Sequence, residues 1–121
     1  MGDGHSKDWR KQTVIRAHLK HRKWIRTLAC CVSGQKGDDI DPAHIRFGTG
    51  GGTGLKPHDS FCVPLHHHEH IKQHQVGEIE YWGENLGAAI QLANDLWEVS
   101  GDDYEALLLI ARFRLGIHNR Q

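Results

Sequence analysis

Three cysteines, no net charge and no long apolar run set the first limits on this 121-residue chain. Cys30, Cys31 and Cys62 are odd in number and two of them are adjacent, which argues against a disulfide framework. A reducing cytosol is the simpler setting. No apolar stretch approaches the roughly 18 residues that cross a bilayer, and no signal-peptide pattern opens the chain. Both absences predict a cytoplasmic protein that stays off the membrane. Fifteen Lys and Arg balance fifteen Asp and Glu. Taken over the whole chain, that balance argues against a strongly basic nucleic-acid binder.

Several chemical motifs are missing too. The glycine-rich run 48–54 has five glycines in seven positions but fits neither phosphate-binding pattern. Lys56 stands between Leu55 and Pro57, so there is no Walker loop, and Gly-x-Gly-x-x-Gly breaks at Thr53, Leu55 or Pro57 from each possible start. The run reads as a flexible loop or a close backbone approach to a ligand. The zinc-protease pattern His-Glu-x-x-His is absent, because Ile71 and Lys72 follow His70. A structural zinc site usually needs a Cys-x-x-Cys pair, and Gly34 stands where the partner of Cys31 would fall. A metal site from Cys30 or Cys31 with Cys62 and His66 is a weaker alternative.

What remains is one domain's length with 38% hydrophobic and 25% charged residues, the make-up of a folded globular protein. Its zero net charge conceals two opposed segments. Residues 1–36 hold nine basic and two acidic side chains, a local charge of +7, while residues 78–105 hold eight acidic and no basic ones. The first segment offers Arg16, Lys20, Arg22, Lys23 and Arg26 to phosphates, with Lys56 further on, unless it is only a solvated helix face.

Periodicity and turn residues predict an α+β order. Residues 1–7 read as a tail and 8–28 as a helix capped by Asp8, with Trp9, Ile15, Leu19, Trp24 and Leu28 available to a core. Residues 33–42 read as turn, 43–47 and 60–65 as short strands, and 66–76 as a helix. Leu86, Ala89, Ile90, Ala93, Leu96 and Trp97 form one apolar helical stripe. After Ser100-Gly101 a last helix begins near Asp102 or Asp103, with Tyr104, Leu107, Leu108, Ala111 and Leu115 on one face.

Histidine is the outstanding excess, with eleven in the chain and seven between His44 and His74. His70 and His74 are four apart, so on a helix their imidazoles share one face and can reach one ion. A polar helix face without metal is the alternative. In His66-His67-His68 successive side chains diverge, so at most one or two can share a site with His70.

The order is a strand with His44, a loop, Asp59, a second strand, then a helix with His70 and His74. It resembles the ββα-metal motif of HNH endonucleases, in which His…Asn…His-x-x-x-His is matched by His44…Asp59…His70-x-x-x-His74. Trp24-Ile25-Arg26-Thr27-Leu28, Cys30-Cys31-Val32, Ala43-His44-Ile45-Arg46, Lys56-Pro57, Val63-Pro64-Leu65 and Tyr81-Trp82 resemble small phage- and prophage-borne HNH-type proteins over roughly residues 18–103. The resemblance implies a ββα-metal core over 40–76, flanked by a basic segment at 8–30 and a helical pair at 84–116. It implies a nuclease acting on DNA, with His44 as general base and Asp59 in the place of the Asn that orients it. Arg46 would be a phosphate contact, and His70 and His74 would hold one divalent ion, Mg²⁺, Mn²⁺, Zn²⁺ or Ni²⁺. Where relatives carry a further ligand just before the base this chain has Ala43, which leaves Asp41 and His66 to complete the shell. A metal-stabilised DNA- or protein-binding module without cleavage is the competing reading.

Overall fold

The computed structural model describes the backbone of residues 2–48 and 58–120, with side chains for 10–48 and 58–117. Residues 49–57, which hold the rest of the glycine-rich run and Lys56, lie outside the described residues. The order is α1 (Gly2–Ile25), β1 (Ile40–His44), a 3-10 turn (Asp59–Phe61), β2 (Cys62–His66), α2 (His67–Val76), α3 (Glu78–Trp82), a second 3-10 turn (Gly83–Asn85), α4 (Leu86–Glu98) and α5 (Asp103–Arg120). The fold is α+β, a two-stranded antiparallel hairpin surrounded by helices.

The hairpin register pairs Ile40 with His66, Pro42 with Pro64 and His44 with Cys62. Neither proline carries an N–H, so this pair must take a position without ladder hydrogen bonds, which fixes the phase of the strands. The first strand therefore lies earlier than the expected 43–47. Beyond His44 only the Ile45 N–H still reaches across, to the carbonyl of Phe61 at 2.9 Å. Asp41 and Pro42, expected in the turn over 33–42, pair instead inside this hairpin, with Leu65 and Pro64.

The core joins Ile25 at the end of α1 and Leu28 after it, Ile40 and Ala43 on the first strand and Ile45 just beyond it, Val63 and Leu65 on the second, and Ala89, Leu92, Ala93 and Leu96 of α4. Cys30, Cys31 and Cys62 are all buried and unpaired, in keeping with the absence of a disulfide framework. Gly34 turns the chain at φ +78° against the Arg114 guanidinium, where a Cβ would have no room.

Two helices bury faces other than those expected. Ile15 and Leu19 of α1 are exposed, and the inward stripe is His18, His21, Arg22 and Ile25 at i, i+3, i+4 and i+7. In α5 Tyr104, Leu107, Ala111 and Leu115 face outward, while Ala106, Ile110 and Phe113 are buried. That helix carries two apolar stripes, and the core takes the one that holds Ala106, Ile110 and Phe113. Helix α1 also begins at Gly2 rather than Asp8, since extending a formed helix costs little per residue. Residues 2–7 are thus helical backbone here rather than a tail.

Candidate metal and nucleic-acid site

The hairpin sets the site. His44 closes β1, and β2 runs straight into α2, so the first turns of α2 return beside the strand that carries His44. The His66 ring caps α2 by accepting from the His68 N–H, and Gly77 at φ 89° ends it. His44, His70 and His74 thereby share an open cleft of about 1050 Å³ with Pro42, Arg46, Gln73 and Glu78.

The two α2 histidines face each other with 3.1 Å between their Nε2 atoms. Two nitrogens bound to one ion at about 2.0–2.1 Å would stand roughly 3.0–3.4 Å apart, so the pair fits one divalent cation. Without an ion the same separation suits an N–H···N hydrogen bond. Asp41 backs the pair: its Oδ2 takes Nδ1 of His70 at 2.9 Å and Nδ1 of His67 at 2.8 Å. Burial opposes the Asp41 charge, but the hydrogen bonds from His67 and His70 outweigh it and hold the carboxyl below its ordinary range. An ionised carboxylate only accepts, so His70 donates from Nδ1 and keeps a lone pair on Nε2. Asp41, expected as a ligand, here holds the His70 ring through Nδ1, the arrangement that carboxylates commonly make with metal-binding histidines. His66 does not join the pair. Its Nδ1 is spent on the helix cap and its ring stacks on His68, 5.1 Å between centroids.

His44 is held from its other side. Its Nε2 lies 2.7 Å from Oδ1 of Asp59, a residue only 3% exposed. Asp59 also takes Nδ1 of His18 at 2.8 Å, the Arg22 guanidinium, and the Cys62 thiol at 3.7 Å. Burial alone would raise the Asp59 pKa, but hydrogen bonds from His44 and His18 and the charge of Arg22 draw it below the ordinary carboxylate range. Since the carboxylate can only accept, His44 donates from Nε2 and its free lone pair is on Nδ1. Gln73, itself buried, donates to the His44 carbonyl at 3.5 Å and accepts from the Trp82 indole at 3.1 Å.

His44, Asp59 and Cys62 also form a group able to hold a metal ion, with one ligand atom of each within 4.8 Å of the others. Burial holds the Cys62 thiol protonated and Arg22 occupies the Asp59 carboxylate, so an ion bound there would displace the thiol proton and compete with the guanidinium. Cys30 and Cys31 do not join Cys62 and His66 in a four-ligand site among the described residues.

Beside the cleft, the backbone N–H groups of Arg46 and Phe47 donate to the two carboxylate oxygens of Glu78 at 2.7 and 2.8 Å. This clamp fixes the chain where it leaves β1 and keeps Arg46 at the cleft. Of the basic residues, Arg16, Lys20 and Lys23 fall at i, i+4 and i+7 on one exposed face of α1, and Arg26 is exposed just beyond the helix. That stripe lies opposite the face that meets Asp59. Arg22, expected with them as a phosphate contact, lies on the other face of α1, where its guanidinium meets Asp59.

Sequence reasoning missed His18, His21, Arg22 as an inner residue, Gln73 and Glu78. The first three were legible as a stripe with helical spacing that contains polar residues, ending in Ile25. No local signal marks Gln73 or Glu78, whose partners lie far along the chain.

No solved structure matches this chain. An uncharacterized protein of Escherichia coli (strain K12), YdfU, is 33% identical over 69 residues, which cover 55% of this chain and 19% of that protein. The chain thus spans about a fifth of its curated relative. The profile of DUF968 covers residues 10–100, which include the hairpin, α2 and the Asp59 cluster, and the chain belongs to this family of proteins of unknown function.

Proposed function

We propose that the protein is a metal-dependent DNA endonuclease of the HNH type that hydrolyses phosphodiester bonds with little sequence preference. One observation carries the reading: His44, held through Nε2 by a buried carboxylate, shares a cleft with two imidazoles whose Nε2 atoms are 3.1 Å apart. A base oriented by a third group is the arrangement general-base chemistry requires. His44 takes a proton on Nδ1 from the water that attacks phosphorus, Asp59 stabilises the imidazolium through Nε2–H, and the P–O3′ bond breaks. His70 and His74 hold the divalent ion, and Asp41 keeps the His70 lone pair aimed at it. When bound, that ion supplies charge neutralisation at the phosphate and the leaving oxygen. Arg46, fixed by Glu78, is the phosphate contact at the cleft.

The test is direct. Supercoiled plasmid is incubated with the protein and Mg²⁺, Mn²⁺, Ni²⁺ or Zn²⁺, with EDTA as control. Relaxed or linear product is expected. It disappears in His44→Ala while metal binding persists, and metal affinity falls in His74→Ala. Equal cleavage by wild type and His44→Ala refutes the base. Ala43 and the lack of a third group beside His70 and His74 among the described residues favour a second reading, a metal-stabilised module that binds without cutting. Salt-sensitive DNA binding with no cleavage under any metal would select it.

A further inference from the structure

The basic helix α1 does more in this structure than display charge. His18 and Arg22 are one turn apart and both turn inward to Asp59, the residue that grips His44. The donors divide evenly between the carboxylate oxygens: His18 and Arg22 meet Oδ2, while His44 and Cys62 meet Oδ1. A carboxylate accepts about four hydrogen bonds, so this one is fully used. Asp59 sits in a one-turn 3-10 segment at the end of the stretch that joins the strands, a weak local scaffold for a buried charge. Its orientation is therefore set from outside, by a helix more than thirty residues earlier in the chain.

From this we infer that Arg22 and His18 are positioning residues, which lock the Asp59 carboxylate so that it holds the His44 ring with Nε2 protonated and Nδ1 bare. The catalytic role of that arrangement rests on the nuclease reading above, but its geometry does not. Arg22 is the stronger member, because a guanidinium brings a fixed charge and a planar fork to a buried carboxylate. With Arg22 removed, Oδ2 keeps only His18, the carboxylate can turn, and the hydrogen bond that selects the His44 tautomer is no longer enforced. The rings of His18, His58 and Trp97 pack at 4.4–5.1 Å around this point, so His18 has little freedom to follow.

The competing role for Arg22 is a contact to a DNA phosphate, and the two roles separate experimentally. Arg22→Met keeps the stem and removes the fork, Arg22→Lys keeps the charge, and His18→Gln gives a second, milder variant if Arg22→Met folds poorly. The first measurement is the long-range ¹H–¹⁵N spectrum of the imidazoles in the metal-free full chain. Wild type shows His44 protonated on Nε2 alone. Arg22→Met and His18→Gln show a mixture of tautomers, and Arg22→Lys lies nearer to wild type. The second is plasmid cleavage at saturating DNA. Arg22→Met lowers kcat about 10- to 100-fold, less than the full contribution of about 10²–10⁴ from a general base because His44 itself remains, and leaves KM unchanged. The third is the salt dependence of DNA binding, which stays as in wild type.

An unchanged His44 spectrum in Arg22→Met overturns the inference, whatever happens to activity. So does a loss of about one unit of salt slope with kcat intact, the mark of a lost phosphate contact. Wild type that does not cleave refutes the nuclease reading, and the His44 spectrum then still decides the positioning role alone.

Discussion

Acid should destabilise this protein through one buried imidazole well before its carboxylates titrate. His21 is 1% exposed, with its ring against Trp97 and its Nδ1 2.7 Å from the Ser100 hydroxyl, while its Nε2 is buried with no partner among the described residues. Burial, helped by the charges of His18, His58 and Arg22 and opposed by Asp59, lowers its pKa from 6.5 to about 4. A protonated ring would place an unpaired N–H in the core. The folded pKa lies below the unfolded one, so the unfolded chain takes up the proton first as pH falls. The stability is complete above about 6.5 and is lost on the way down to about 4. Linkage over that window gives a loss of about 2 kcal/mol between pH 7 and pH 5, and about 3 by pH 4. Asp41 and Asp59, both held below their ordinary range, withdraw their stability only at still lower pH, while His58, lowered by burial, acts in the same interval, so the difference between wild type and a His21 variant isolates this histidine. Urea unfolding of wild type and His21→Phe at the two pH values measures it, since Phe keeps the ring packed on Trp97. Wild type should lose about 2 kcal/mol more than the variant. Equal losses in the two proteins would refute the assignment of a buried, neutral His21.

Asp41→Asn should weaken Zn²⁺ or Ni²⁺ binding by about 10- to 100-fold in calorimetry while the fold persists, because the amide no longer fixes the His70 tautomer. An unchanged affinity would mean that Asp41 does not act through His70. Gln73→Leu should cost about 1–3 kcal/mol in urea unfolding, since it strands the Trp82 indole N–H and the His44 carbonyl. Lys20→Gln with Lys23→Gln should reduce the salt slope of DNA binding by about two units if the outward stripe of α1 tracks phosphates, and leave it unchanged if it is only a solvated face.

The parts of the fold that were legible are those where one period and one chemistry coincide. In α4 the apolar residues fall at helical spacing, and the buried Ala89, Ala93 and Leu96 lie along the expected stripe, with Leu92 buried beside it. The boundary of α2 was legible because proline and glycine bracket it, Pro64 just before and Gly77 just after. Helix α5 was ambiguous for a physical reason: it carries two apolar stripes, and only the tertiary fit to α4 decides between Leu107 and Ile110. The first strand was misplaced because Pro42 looks like a turn residue when read alone. Only the opposing Pro64 makes it compatible with a strand, and that pairing is a long-range fact.

The site divides along the same line. His70 and His74 were legible because their relation is local, one turn of helix, and a metal pair needs nothing else from the sequence. Asp41 was legible as a companion but its role was not, since ligand and orienting carboxylate differ only in which atom faces the histidine. His44 and Asp59 were legible through the order of the motif, whereas the grip on Asp59 comes from α1. A search for apolar periodicity passes over that helix's inner stripe because three of its four residues are polar. Such a stripe can be buried only where something waits to neutralise it, and here that partner is one carboxylate with room for several donors. A buried polar helix face near a lone buried acid is therefore itself a sequence-level pointer. In this chain the i, i+3, i+4, i+7 run His18, His21, Arg22, Ile25 marks the side of α1 that faces Asp59 and the core.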